Sequence, residues 1–181
     1  MWITSVEYSD RMEKELYTKK VIQHFLHPKN IGKIKKPDGV GKVGNIVCGD
    51  VMWIYIKVKN KKGKKIISDI KFQTFGCVAA ISTSSIITTM AKGKTLEDAL
   101  RITNLEVANR LGGLPKIKMH CSVLASDALS EAIYNYLSKN KLPIPEKLLK
   151  RHERIKRNLE MVEKMHGSFV KFEEKLKGRY L

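Results

Sequence analysis

Cys48, Cys77 and Cys121 are the residues of this 181-residue chain best suited to chemistry, and none of them stands alone. Gly49 and Asp50 follow the first, Gly76 precedes the second, and His120 directly precedes the third. Three thiols spaced 29 and 44 residues apart make a poor disulfide framework, so metal binding or thiol chemistry is the expectation. Taken singly, each has a plainer reading: a buried small hydrophobe for a cysteine, a turn residue or cap for Asp50, a structural ring for His120, a surface charge for Lys118. Together they form a metal site with three thiolates and a choice of oxygen or nitrogen as fourth ligand. A mixed fourth position weakens or retunes binding where four cysteines would hold a [2Fe–2S] cluster permanently, and such looseness suits a cargo that must leave. The same donors suit tetrahedral Zn²⁺, so the residue types alone leave iron and zinc level.

Each cysteine falls at a junction between elements, where binding sites are commonly built. A Gly-punctuated stretch, GKIKKPDGVGKVGNIVCGD, is too broken for a helix and leads into VMWIYIKVK, whose β-branched and aromatic residues read as a strand. NKKGKK is a turn, and KIISDIKFQTF returns as a second strand over roughly 65–75, making an antiparallel hairpin or meander. Cys77 opens CVAAISTSSIITTM, a run of small and β-branched residues that predicts a tightly packed helix ending before Gly93. Thr95 with Asp98, and Thr103 with Glu106, carry the Ser/Thr-x-x-acid spacing of helix starts. Cys121 then opens a long helix with Leu129, Ile133 and Leu137 at four-residue spacing. At a helix start, the free amides and positive dipole end favour a thiolate or an anionic cluster. Ahead of all this, residues 11–26 predict a helix with Leu16, Val21, Ile22 and Phe25 on one side, closed by Pro28 and Gly32. Strands first and helices afterwards imply an α+β domain.

Pro143 and Pro145 mark a boundary before a charged segment, 146–181, that reads as one more helix. Leu148, Ile155, Val162, Phe169 and Leu176 recur every seven residues, while His152, His166 and Glu173 interrupt the second seam of a coiled coil. The apolar stripe therefore either packs back on the domain or meets another chain. This divides the chain into an extension over 1–16, a domain over 17–142 and a helical extension over 143–181. Thirty-five basic against eighteen acidic side chains give a formal charge of +17, which attracts polyanions. The basic residues are nevertheless spread along the whole chain, with no base-stacking or finger-type signature, so the charge alone does not point to nucleic acid. Without an apolar run of about 20 residues or a secretion signal, a cytoplasmic protein is expected.

The segments YTKKVIQHFLHPKNIG (17–32), GNIVCGDVM (44–52), FQTFGCVAAISTSS (72–85) and LGGLPKIKMHCSVLASDA (111–128) resemble, in order and spacing, the IscU and NifU amino-terminal scaffold family. The resemblance covers roughly residues 17–140. It implies a small antiparallel sheet of about three strands covered by helices, with a [2Fe–2S] cluster assembled at one end. It further implies Cys48, Cys77 and Cys121 as thiolate ligands, with Asp50 and His120 as alternative or exchanging ligands; the residues themselves place Lys118 beside them as an auxiliary group. Cys121 becomes the expected acceptor of persulfide sulfur from a cysteine desulfurase, and apo iron–sulfur proteins become the recipients. The chain departs from the family pattern in three places. Leu114-Pro115-Lys116-Ile117-Lys118 stands where bacterial members carry the L-P-P-V-K read by an Hsp70-type chaperone, which bears on that partner; V-A-A follows Cys77 where G-S-A is usual; and 146–181 contains no cysteine. The alternative is a zinc-dependent sulfur acceptor resembling SufU. Such chains carry an insertion between their second and third cysteines, whereas the 44-residue step here has the IscU length.

Overall fold

The computed structural model describes the backbone of residues 16–45 and 48–180, and side chains as far as residue 164. Three strands, β1 (Gly39–Gly44), β2 (Val51–Lys61) and β3 (Lys64–Phe75), form an antiparallel sheet in the order β1-β2-β3. Lys62 and Gly63, both at positive φ, make the two-residue turn joining β2 to β3. Such a turn matches the right-handed twist of the strands it connects. Met52, Ile54 and Ile56 on β2 and Ile70 and Phe72 on β3 are fully buried, the period-two pattern of a sheet with one face in the core.

That face is covered by α2 (Val78–Ala91), lying mainly on β3, and by α5 (Met119–Lys139), which crosses β1 and β2. Almost every side of α2 is buried despite its many hydroxyls. The chemistry permits this because Ser82, Thr83 and Ser84 donate to the carbonyls of Val78, Ala79 and Ala80, and Thr88 to that of Ser85. Ser82 also donates to the Val21 carbonyl at 2.7 Å, tying α1 (Lys19–Leu26) to α2. Two short helices, α3 (Leu96–Leu100) and α4 (Asn104–Arg110), start at Thr95 and Thr103 as their spacing predicts. Around Thr103 a full capping box forms with Glu106.

The first helix is shorter than its apolar pattern suggests. Thr18 caps it, its hydroxyl accepting from the Val21 amide and donating to the Leu111 carbonyl, so helix begins only at Lys19. Leu16 precedes it and is exposed, while residues 11–15 lie outside the described residues. The glycine-rich stretch before Cys48, too broken for a helix, contains β1. An added Cβ at Gly39 would lie 2.3 Å from the Ala132 carbonyl oxygen, and one at Gly41 2.1 Å from that of Ala128. These glycines let the α5 backbone settle on the strand.

The last helix, α6 (Glu146–Tyr180), packs on α5 and β1. Leu148, Ile155 and Val162 are buried there, so this much of the seven-residue stripe turns toward the domain. His152, which interrupts the second seam, stacks on Tyr134 and lies 2.9 Å from both carboxylate oxygens of Glu131. His166 and Glu173 lie outside the described side chains. Among the described residues, no helix is long and apolar enough to cross a membrane.

Candidate metal centre

The ends of three elements meet at one edge of the sheet. Val51 pairs with Phe75, so Asp50 and Gly76 face each other just beyond the β2–β3 ladder. The turn before β2 is closed by the Asn45 amide donating to Asp50 (2.9 Å) and the Gly49 amide donating to Asn45 (2.8 Å), with Gly49 at φ +72°. Gly76 makes room for the carboxylate: a Cβ there would come within 2.9 Å of Asp50 Cγ and 2.8 Å of Ala80 Cβ. Cys77 is the N-cap residue of α2. A 3-10 turn, Lys116–Lys118, leads into α5, placing His120 and Cys121 in its first turn, two residues further into the helix than the sequence suggests.

All five candidate ligands converge. Donor atoms of Cys48, Asp50 and His120 lie within 4.8 Å of one another, and so do those of Asp50, Cys77 and Cys121. Asp50 is the member common to both triads. Cys48 is exposed, Cys77 partly buried and Cys121 wholly buried, with the last two sulfurs 3.8 Å apart. Asp50 Oδ2 and His120 Nε2 are buried without a hydrogen-bond partner among the described residues. Buried polar atoms are nearly always paired, so two orphans aimed into a nest of thiols mark a place built for an electrophile.

The thiols differ in acidity. Cys77 is held down to about 5, first by the hydrogen bond from the Cys121 thiol, then by the Ala80 amide and the Lys118 charge, against burial and the Asp50 carboxylate. Cys121 is pushed far up by donating that hydrogen bond and by burial. Partial burial, with the negative charge of Asp50, raises Cys48. Lys118 answers the Cys77 thiolate with a raised pKa of its own. In the metal-free protein at pH 7, iodoacetamide is therefore expected to label Cys77 first. Because the thiolate is the nucleophile, the rate should level off above about pH 6, one unit past the Cys77 pKa of about 5. Peptide mass mapping reads the order, and labelling of Cys121 ahead of Cys77 would contradict this ranking.

Tyr17 was not among the residues singled out from the sequence. Its ring packs with Leu114 against Ala79, Ala80 and Cys121, and burial and the Cys77 charge raise its pKa. Only its position just ahead of the Thr18 cap could have signalled this, and the contact is made across the fold.

The fold and this centre define a small α+β protein whose thiol, carboxylate and imidazole groups are brought close enough together to hold a metal ion. The NifU-like N terminal domain family matches residues 16–143, and the chain belongs to that family. It is 63% identical over 125 residues to a protein of Archaeoglobus fulgidus named iron-sulfur cluster assembly scaffold protein IscU 1, covering 69% of this chain and 79% of that one. Against the mitochondrial iron sulfur cluster assembly protein 1 of Debaryomyces hansenii the identity is 45% over 135 residues, covering 73% and 74% of the two chains. The crystal structure of a nitrogen-fixing NifU-like protein (N-terminal) from Brucella abortus aligns with a TM-score of 0.51 at 20% identity, over 68% of this chain and 96% of that one. At that identity the likeness speaks for the fold alone.

Proposed function

We propose that this chain is a scaffold on which a labile [2Fe–2S] cluster is built from iron and desulfurase-derived sulfur and then passed to apo-proteins. The observation that carries the reading is the pair of buried atoms, Asp50 Oδ2 and His120 Nε2, that lack a hydrogen-bond partner among the described residues and sit with three free thiols. Two overlapping triads sharing one carboxylate suit a two-iron cargo, and the name of the Archaeoglobus relative at 63% identity supports the same assignment. A hard, exchangeable oxygen among soft sulfurs gives the cargo a weak point at which to leave.

Sulfur enters as a persulfide. Cys121 first gives its proton to the Cys77 thiolate, whose sulfur lies 3.8 Å away; the Cys121 thiolate then attacks the terminal sulfur of the desulfurase persulfide, the S–S bond to the desulfurase breaks, and its cysteine leaves as a thiolate. Converting each transferred sulfur to sulfide then takes two electrons from an external reductant. Because Cys121 is wholly buried, with Tyr17 and Leu114 packed against it and its neighbours Ala79 and Ala80, delivery requires part of this cover to move. In this reading Lys118 balances the thiolate charge at Cys77 while the site is empty of iron. The scaffold turns over no small molecule of its own, and a cytoplasmic workplace belongs to the same reading.

Anaerobic reconstitution with ferrous iron, cysteine and a cysteine desulfurase tests the proposal. The expected result is the visible charge-transfer absorption of a [2Fe–2S] centre at one cluster per chain or per pair of chains. No such absorption, with all three thiols intact, overturns it. Retained zinc together with strong stimulation of the desulfurase would instead assign the chain as a zinc-dependent sulfur acceptor.

A further inference from the structure

We propose that Val162 on α6 is a positioning residue for the loop that carries Cys48, and that α6 braces this loop against the helix that carries Cys121. The inference rests on the scaffold reading and gives the C-terminal helix a part in it.

One end of the brace is fixed to α5. Asp127, almost fully buried, accepts from Arg151 Nε at 2.7 Å and from Arg154 at 2.8 and 3.0 Å. One turn along, Glu131 meets His152, whose ring lies 3.7 Å from that of Tyr134 at an interplanar angle of 11°. Leu148 and Ile155 close the seam between them. A buried carboxylate shared by two guanidinium groups resists separation, because breaking it strands a charge.

The other end rests on β1. Val162 is 1% exposed, and a Cβ built on Gly44 would lie 3.2–3.3 Å from its side-chain carbons, so the valine sits directly on the strand's last residue. Asn45 follows at once, and its amide and carbonyl close the turn that presents Cys48 and Asp50. Beside this contact, Glu163 pairs with Lys42 at 2.6 Å, and the Lys42 ammonium lies 5.9 Å from the centre of the Trp53 ring on β2. The ion pair is half exposed and contributes little by itself. What it adds is direction, because Trp53 stands on the far side of the same loop. α6 thus spans the two elements that hold the outermost and innermost thiols and sets the distance between them.

Amide hydrogen exchange of the metal-free full chain tests this directly. In Val162→Ala, exchange at Asn45 and Gly49 should rise roughly fivefold while Ile70 and Phe72 in the sheet core stay as they were, a coupling of the size expected for packed neighbours. Gly44→Ala/Val162→Ala restores a side-chain contact at the same place and should return both amides to within about twofold of the parent. Reconstituted Val162→Ala should lose its cluster roughly threefold faster, again reversed by the double substitution. Unchanged exchange at Gly49, a uniform rise throughout the domain, or no recovery in the double variant overturns the proposal. A parent chain that takes up no cluster while Gly49 responds as described would sink the scaffold reading and leave the brace standing.

Discussion

Valine in place of Gly41 is expected to destabilise the fold by on the order of 4 kcal/mol, enough to leave a typical domain largely unfolded on mild warming. A Cβ at this position would stand 2.1 Å from the Ala128 carbonyl oxygen and 2.5 Å from the Ala132 amide nitrogen, and both obstacles are helix backbone. A side chain could swing aside; a hydrogen-bonded helix cannot, so α5 has to lift away from β1. The small residues Ala125, Ala128 and Ala132 are fully buried, with the last two against β1, and lifting the helix opens the whole seam. Since α5 carries Cys121 and β1 leads to Cys48, the candidate metal centre would come apart with the seam. Urea denaturation followed by circular dichroism gives the number. A midpoint within experimental scatter of the parent would show that the close approach of strand and helix is not required.

Asp50→Ala should move two observables in opposite directions. Asp50 is 7% exposed, and its Oδ2 has no hydrogen-bond partner among the described residues, so removing the carboxylate relieves an uncompensated buried group. The metal-free protein should gain about 1–3 kcal/mol. In the scaffold reading, cluster transfer should slow roughly tenfold, because the proposed oxygen ligand shared by both triads is lost and only softer, more tightly bound donors remain. Thermal denaturation of the metal-free chain and the rate of handover to an apo-ferredoxin measure the two effects. A less stable metal-free variant would mean that Asp50 is structurally satisfied; transfer as fast as in the parent would remove it from the release step.

The features legible in the sequence are those whose causes are local. Thr103 and Glu106 announce their capping box because both partners lie within one turn, and β2 and β3 show themselves through their apolar and β-branched runs. Leu148, Ile155 and Val162 declare a helix face for the same reason, although spacing could not say that the face would turn inward onto α5 and β1. The family resemblance implies a third strand, but the residues of β1 do not announce it themselves, because Gly39 and Gly41 look like strand breakers until the α5 backbone is placed on them. The first helix is shorter than the apolar spacing predicts, because that spacing runs on to Leu16 past a cap whose second hydrogen bond goes to Leu111, far along the chain. Residue types and spacing identified the five candidate ligands. That Asp50 is common to both triads depends on the pairing of Val51 with Phe75, a matter of strand register.

Three thiols at three depths give the centre a front and a back. Cys48 faces solvent, Cys77 lies partway in, and Cys121 is sealed behind them. Of the three, Cys48 is the thiol most open to a group approaching from solvent. In the scaffold reading, ligand exchange with a recipient therefore has an entrance side, and a cluster drawn off through it would part from its deepest sulfur last.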